Sequence, residues 1–170
     1  MPHVYTPHSY PPSYYDDHMS LKPPLLLWLV VVYLSRAIVL PAIMGIGAFA
    51  GVNSDAIGLF RQFCSAETLL PSLLACIILL ALFRRAPNAS KPVCWIWAHG
   101  RTLLALSAGL DLAISLILPI RQREIDPQVL LSLCGAGIDA FLLAYILVAR
   151  RVCDAFADFP LPLERPARSR

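Results

Sequence analysis

An all-α membrane fold is what this sequence predicts: a bundle of four transmembrane helices with short disordered N- and C-terminal tails. Three observations lead there. Apolar residues make up 58% of the chain and charged residues only 15%, with a mean hydropathy of +0.65. A soluble domain averages about 45–50% apolar and about 25% charged residues. The surplus is gathered into four long runs, each near the ~20 residues that carry a helix across a bilayer. Strands are the poorer choice. A barrel strand needs only ~10 residues of alternating polarity, and an open sheet would leave backbone groups unpaired in lipid.

The elements follow in order. Residues 1–23 form an N-terminal tail rich in Pro, Tyr and His, with no helical or strand period, so loose order is expected. The transmembrane domain covers residues 24–150. Pro23 and Pro24 suit a helix start. The first span, residues 25–50, reads LLLWLVVVYLSRAIVLPAIMGIGAFA. It exceeds one bilayer thickness, which predicts a tilt or a bend at Pro41. The second span, residues 67–83, is short and has Pro71 in its first turns, where proline is tolerated. The third covers residues 102–120 and the fourth residues 129–149. The C-terminal tail, residues 151–170, ends in DFPLPLERPARSR and is expected to be loose as well. Ala48 and Ala50 make a small-x-small pattern that a signal peptidase could read. A signal core is only ~7–15 residues, however, and Arg36 interrupts this run, so an uncleaved span is expected.

Loop charge sets the orientation. With the N-terminus in the cytoplasm, Lys22, Arg84, Arg85, Lys91, Arg101, Arg150, Arg151, Arg165, Arg168 and Arg170 all lie inside. Only Arg61, Arg121 and Arg123 lie outside. Both termini are therefore expected in the cytoplasm. Trp95 and Trp97 fall near the inner face, where indole rings favour the interface. Tyr5, Tyr10, Tyr14 and Tyr15 are expected to rest on the membrane surface. The Arg84–Arg85 and Arg150–Arg151 pairs would anchor helix ends to anionic lipid heads.

Two segments carry a family resemblance. The run YDDHMSLKPPLLLWLVVVYLSRAIVL, residues 15–40, resembles the start of the YfeZ-like family of small bacterial inner-membrane proteins. The segment VARRVCDAFADFP, residues 148–160, resembles that family's closing segment. The distinctive part is an acidic turn, then K-P-P, then a helix with an internal Ser-Arg. The resemblance implies a bacterial inner membrane. It implies no activity, and it transfers no catalytic or binding residue.

Three charges stand near the middle of the spans: Arg36, Asp111 and Asp139. Counted from the cytoplasmic ends at ~1.5 Å per residue, all three lie roughly 14–17 Å deep, near the midplane of a ~30 Å core. Each alone would cost ~2.5–3.5 kcal/mol to insert. The faces favour a meeting. Ser107, Asp111 and Ser115 are four apart and share a stripe. Ser132, Gly135, Ala136 and Asp139 form a second small, polar stripe, suited to close helix approach. The echo of A-G-L-D at 108–111 in A-G-I-D at 136–139 reads as convergent packing grammar. The expected arrangement puts the Arg36 guanidinium between two carboxylates, one of them gripped bidentately. Two acids on one cation leave a surplus charge. Asp111 and Asp139 are therefore expected to share one proton and titrate as a pair.

The function classes narrow by elimination. A net charge of +3 with no basic helix face argues against nucleic-acid binding. The five cysteines are scattered singly, with no C-x-x-C, which argues against thiol redox chemistry or zinc. No histidine pair lies inside the spans to hold haem, and His99 reads as a lone interfacial side chain. His3, His8 and His18 with Asp16 and Asp17 are too loosely spaced for an ordered metal site. There is no G-x-S-x-G nucleophile. An aspartate pair could suggest intramembrane proteolysis, but an adjacent arginine would hold one acid ionised. No enzyme activity, catalytic residue, cofactor or metal is expected. The expected role is that of a structural or interaction component built around a polar cluster of Arg36, Asp111, Asp139, Ser107, Ser115 and Ser132. Its partners would be the lipid bilayer and a membrane protein or a second copy, with Gly47 and Gly51 as a G-x-x-x-G contact. The alternative is a small proton-linked transporter or channel component using the aspartates. Two points weigh against it: four helices enclose little volume, and no interrupted half-helix pair is visible.

Overall fold

The computed structural model describes residues 10–16, 20–49, 66–87, 89–121 and 127–160. Among the described residues the chain is all-helical, without a strand. The helices are α1 (Leu25–Leu34), α2 (Arg36–Phe49), α3 (Leu69–Phe83), α4 (Lys91–Ala98), α5 (Gly100–Arg121), α6 (Pro127–Val148) and α7 (Arg150–Ala157). Single 3-10 turns occur at Pro12–Tyr14 and Ala66–Thr68.

The first apolar run is broken. α1 and α2 meet at 80° with only Ser35 between them. The expected bend at Pro41 is corrected: Pro41 lies within α2, and the turn comes six residues earlier. Ser35 donates its hydroxyl to the Val32 carbonyl at 3.1 Å, a back-bond that competes with the helix ladder and favours bending. Its own carbonyl then accepts the amides of Ile38 and Val39, which starts α2 on a new axis.

Helix length separates the remaining runs. Gly100–Ile117 of α5 is long and apolar enough to cross a membrane. Leu25–Leu34 with Arg36–Ile43, and Ser132–Val148 with Arg150–Ala157 (bent 62°), pass the same test only as bent pairs. Leu69–Phe83 is shorter. One to three spans thus follow from length and composition, against the four expected.

The core is built from helical stripes. On α3, Pro71, Ala75, Ile78 and Leu82 recur at three- or four-residue steps and are buried. On α5 the same spacing buries Leu104, Ser107, Ala108 and Asp111; on α6 it buries Ala136, Asp139, Leu142 and Ile146. α3 packs against α1, α2 and α5, while α5 makes its most extensive contact with α6. The outside is apolar. Leu25, Leu29, Leu70, Leu80, Phe83, Ile117, Phe141 and Val148 are all exposed, while Asp111 and Asp139 are inside.

Parts of both tails are folded, which corrects the expected loose order for residues 10–16, 20–23 and 151–160. Tyr15 and Leu21 pair in an isolated antiparallel bridge. The Lys22 amide donates to the Tyr14 carbonyl at 2.8 Å, closing a hook. The hook rests on α7 through Tyr10, whose hydroxyl donates to Asp154 Oδ2 at 2.7 Å. Arg151 of α7 stacks over the Tyr14 ring at 4.1 Å. Tyr10 and Tyr14 thus contact protein on one side. Arg85 closes the base by donating to the Leu21 carbonyl (3.0 Å), Ser20 Oγ (3.1 Å) and the Asp158 carbonyl (3.0 Å). Arg85 therefore turns inward, where a lipid contact was expected. Trp97 lies beneath it, 1% exposed, and donates its indole N–H to the Ala155 carbonyl at 3.1 Å. Trp95 remains exposed.

Candidate functional site

Arg36 is the first residue of α2, so the break at Ser35 places its side chain where two helix axes diverge. Its Nη1 donates to Asp111 Oδ2 of α5 at 2.7 Å, a direct ion pair. The pair is nearly dry: the side chains are 18% and 2% exposed. The same Nη1 reaches the Tyr33 carbonyl at 3.3 Å, and the guanidinium lies 4.4 Å over the Tyr33 ring. This geometry is monodentate, where a bidentate grip was expected. Each arginine contact has its physical role. The carboxylate neutralises the charge, the carbonyl at the end of α1 takes a spare donor, and the ring offers its negative face.

Asp139 is fully buried on α6. Ser115 Oγ donates to its Oδ2 at 3.3 Å. Asp139 also interacts with Arg36, Asp111 and Tyr33, but no ion pair joins it to the arginine among the described residues. Oδ1 of Asp111 and Oδ1 of Asp139 are both buried without a hydrogen-bond partner. A bare buried carboxylate oxygen is costly. Among the described residues these are the carboxylate oxygens so placed, and Nε of Arg85 and Nε of Arg151 are the other buried side-chain atoms without a partner.

The remaining expected members divide. Ser115 joins the cluster. Ser107 donates instead to the Pro71 carbonyl at 2.8 Å and ties α5 to α3. Ser132 is half-buried on α6, two helical turns and about 10 Å of rise from Asp139, and it makes no bond to either acid among the described residues. Ala108 of α5 and Ala136 of α6 are buried. Gly135 is not at a tight contact, since a Cβ added there would meet nothing within 4 Å. Sequence reasoning missed Tyr33 and Ser35. Tyr33 had a readable signal, three residues before Arg36 on the same run; the bend at Ser35 had none beyond the serine itself.

Among the described residues no three His, Cys, Asp or Glu side chains gather to hold a metal. Cys76, Cys94, Cys134 and Cys153 are free thiols. His99 is exposed and stacks on Trp95, with ring centroids 4.6 Å apart. His3, His8, His18, Asp17, Tyr5, Gly51 and Cys64 lie outside the described residues.

Fold and site together define a class: among the described residues, a helical chain with apolar helix faces outside that buries one ion pair and one further acid. Residues 10–158 match the family described as Protein of unknown function (DUF2919), and the chain belongs to that family. No curated protein and no solved structure matches it.

Proposed function

We propose that this protein is a four-span component of the bacterial inner membrane, with both termini in the cytoplasm. Its role is structural or interactive, and it has no enzyme activity of its own. α1 with α2 forms a broken first span, α3 the short second, and α5 and α6 the third and fourth. Apolar side chains on the outer faces and acids at the centre support this, because lipid rewards that inversion and water does not. Residues 20–22, Arg85 and Asp158 gather at one end, as expected if the N-terminus, the loop after α3 and the C-terminus share one side. The resemblance of residues 15–40 and 148–160 to the YfeZ-like family supports the bacterial inner membrane.

The observation that carries the reading is the Arg36–Asp111 pair. It fixes the broken span against α5 and lets two charges share the cost of burial. The bilayer is the first partner; a membrane protein or a second copy is the second. Reporter fusions placed within residues 86–90, within residues 122–126 and after residue 170 test the topology. The first and third should report cytoplasm, and the second the opposite side. A loop at 86–90 opposite the C-terminus would end the four-span reading.

Proton-linked transport is a second reading, and one observation favours it. The sequence showed no interrupted helix, yet the first span is interrupted beside a buried charge. Broken spans of that kind line transporter sites. Reconstituted vesicles under an imposed pH gradient would show a flux that Asp139→Asn abolishes; equal flux in both proteins would remove this reading.

A further inference from the structure

We infer that Asp111 and Asp139 form a binding site for one exchangeable proton, and that the broken first span answers to it through Arg36. The inference rests on the membrane placement proposed above and deepens it. It begins from two atoms: Oδ1 of each acid is buried, and neither has a donor. Two ionised carboxylates would leave two bare buried oxygens and two negative charges beside one guanidinium. A proton on one acid removes the surplus charge.

The groups around Asp139 allow no other neutralisation among the described residues. From α5 it faces Asp111 and Ser115, from α1 Tyr33, and from α2 Arg36. Only Arg36 is a cation, and Asp111 already occupies its Nη1 at 2.7 Å. Asp111 is thus the arginine's partner and Asp139 the acid left over. Proton binding is simple in balance: a proton from water adds to the Asp139 carboxylate, one O–H bond forms, and the cluster's net charge rises by one.

Release of that proton has a mechanical consequence. The second carboxylate then becomes an anion competing for the guanidinium, whose planar fork has donors for both acids. Arg36 is the first residue of α2, next to the break at Ser35, so a pull on its side chain acts at the hinge between α1 and α2. A shift of the guanidinium toward Asp139 changes the load on that hinge, and the proposed response is a rotation of α2 about it. Arginine itself keeps its proton throughout, so the exchanging group is a carboxyl.

Infrared difference spectra of the full-length protein in lipid vesicles test the site. The wild type should show one carboxyl C=O band at neutral pH that shifts on H/D exchange. Asp139→Asn should lose that band while accumulating normally in membranes. No band in the wild type, or a band that survives in Asp139→Asn, overturns the site. Spin labels at exposed Leu26 and Ile43, in a background without native cysteines, test the hinge. Their separation should change with pH in the wild type and stay constant in Asp139→Asn; a pH-independent wild-type distance overturns the coupling. Failure of the membrane placement would read differently, as reporter fusions in the wrong compartments with the infrared band intact.

Discussion

Arg36 and Arg85 are both drawn into this protein, and it treats them in opposite ways. Arg36 meets a carboxylate midway along the bundle, beside a second acid without a cation of its own. Arg85 sits at the base and donates to two backbone carbonyls and a serine hydroxyl. Burial pushes the Arg85 guanidinium below its ordinary range, and Asp158 and Asp16 oppose that push. Asp158 does not pair with Arg85 through its carboxylate; it accepts the Leu21 amide at 2.6 Å. The base is thus a lock of dispersed neutral acceptors, held by chain geometry. The centre is a charge balance, and a charge balance can be changed by one proton.

The sharpest break in this comparison comes at Asp111. Asp111→Asn removes the carboxylate paired with Arg36 and should cost up to about 3–5 kcal/mol, as loss of one buried partner does, less what Asp139 recovers by ionising beside the guanidinium. Thermal unfolding in detergent reads this. Asp139→Asn should cost less than about 1 kcal/mol, since a neutral acid is exchanged for a neutral isostere. Equal losses in the two variants would erase the distinction between paired and surplus acid.

At the base, Arg85→Ala removes three hydrogen bonds and the contact 4.8 Å over Trp97. A loss of about 2–3 kcal/mol is expected, together with faster proteolysis within residues 20–24. Arg85→Lys should recover little, because a point charge cannot reproduce the fork. Undiminished protection of the hook in Arg85→Ala would show that the lock lies elsewhere.

A smaller effect tests the packing beneath the lock. A Cβ at Gly100 would collide with the Phe156 ring, whose Cδ1 would be 2.8 Å away. Gly100→Ala should cost about 1–3 kcal/mol by overpacking, and Phe156→Leu in the same chain should restore part of it.

The smallest effect is at Tyr10. Its phenol is pushed up from the ordinary value, first by the hydrogen bond to Asp154 and then by burial. A raised value means that the neutral phenol is favoured in the folded state. Its contribution is therefore complete below about pH 10 and falls away as pH rises through the folded value. Tyr10→Phe should cost under about 1 kcal/mol and remove that alkaline loss from the melting profile.

The residues differ in how readable they were. Arg36, Asp111, Asp139 and Ser115 could be found because charges in apolar runs stand out, and helical spacing assigns them faces. Ser107 was found for the right face and the wrong partner, since spacing along α5 says nothing of a carbonyl on α3. Gly135 was misplaced for a related reason: small size permits close approach but does not require it. Arg85 was unreadable, because its acceptors are backbone carbonyls of residues 64 and 73 positions away.

By itself, the sequence determined that this chain is helical, that its long runs are apolar, and that three charges lie in the middle of those runs. Those follow from local composition and period, which act within a few turns. Only the tertiary structure decided that the first run breaks at Ser35, that Arg36 takes Asp111 and leaves Asp139, and that the tails close the base. Each of those outcomes is a choice among partners distant in sequence, made by the geometry of packed helices.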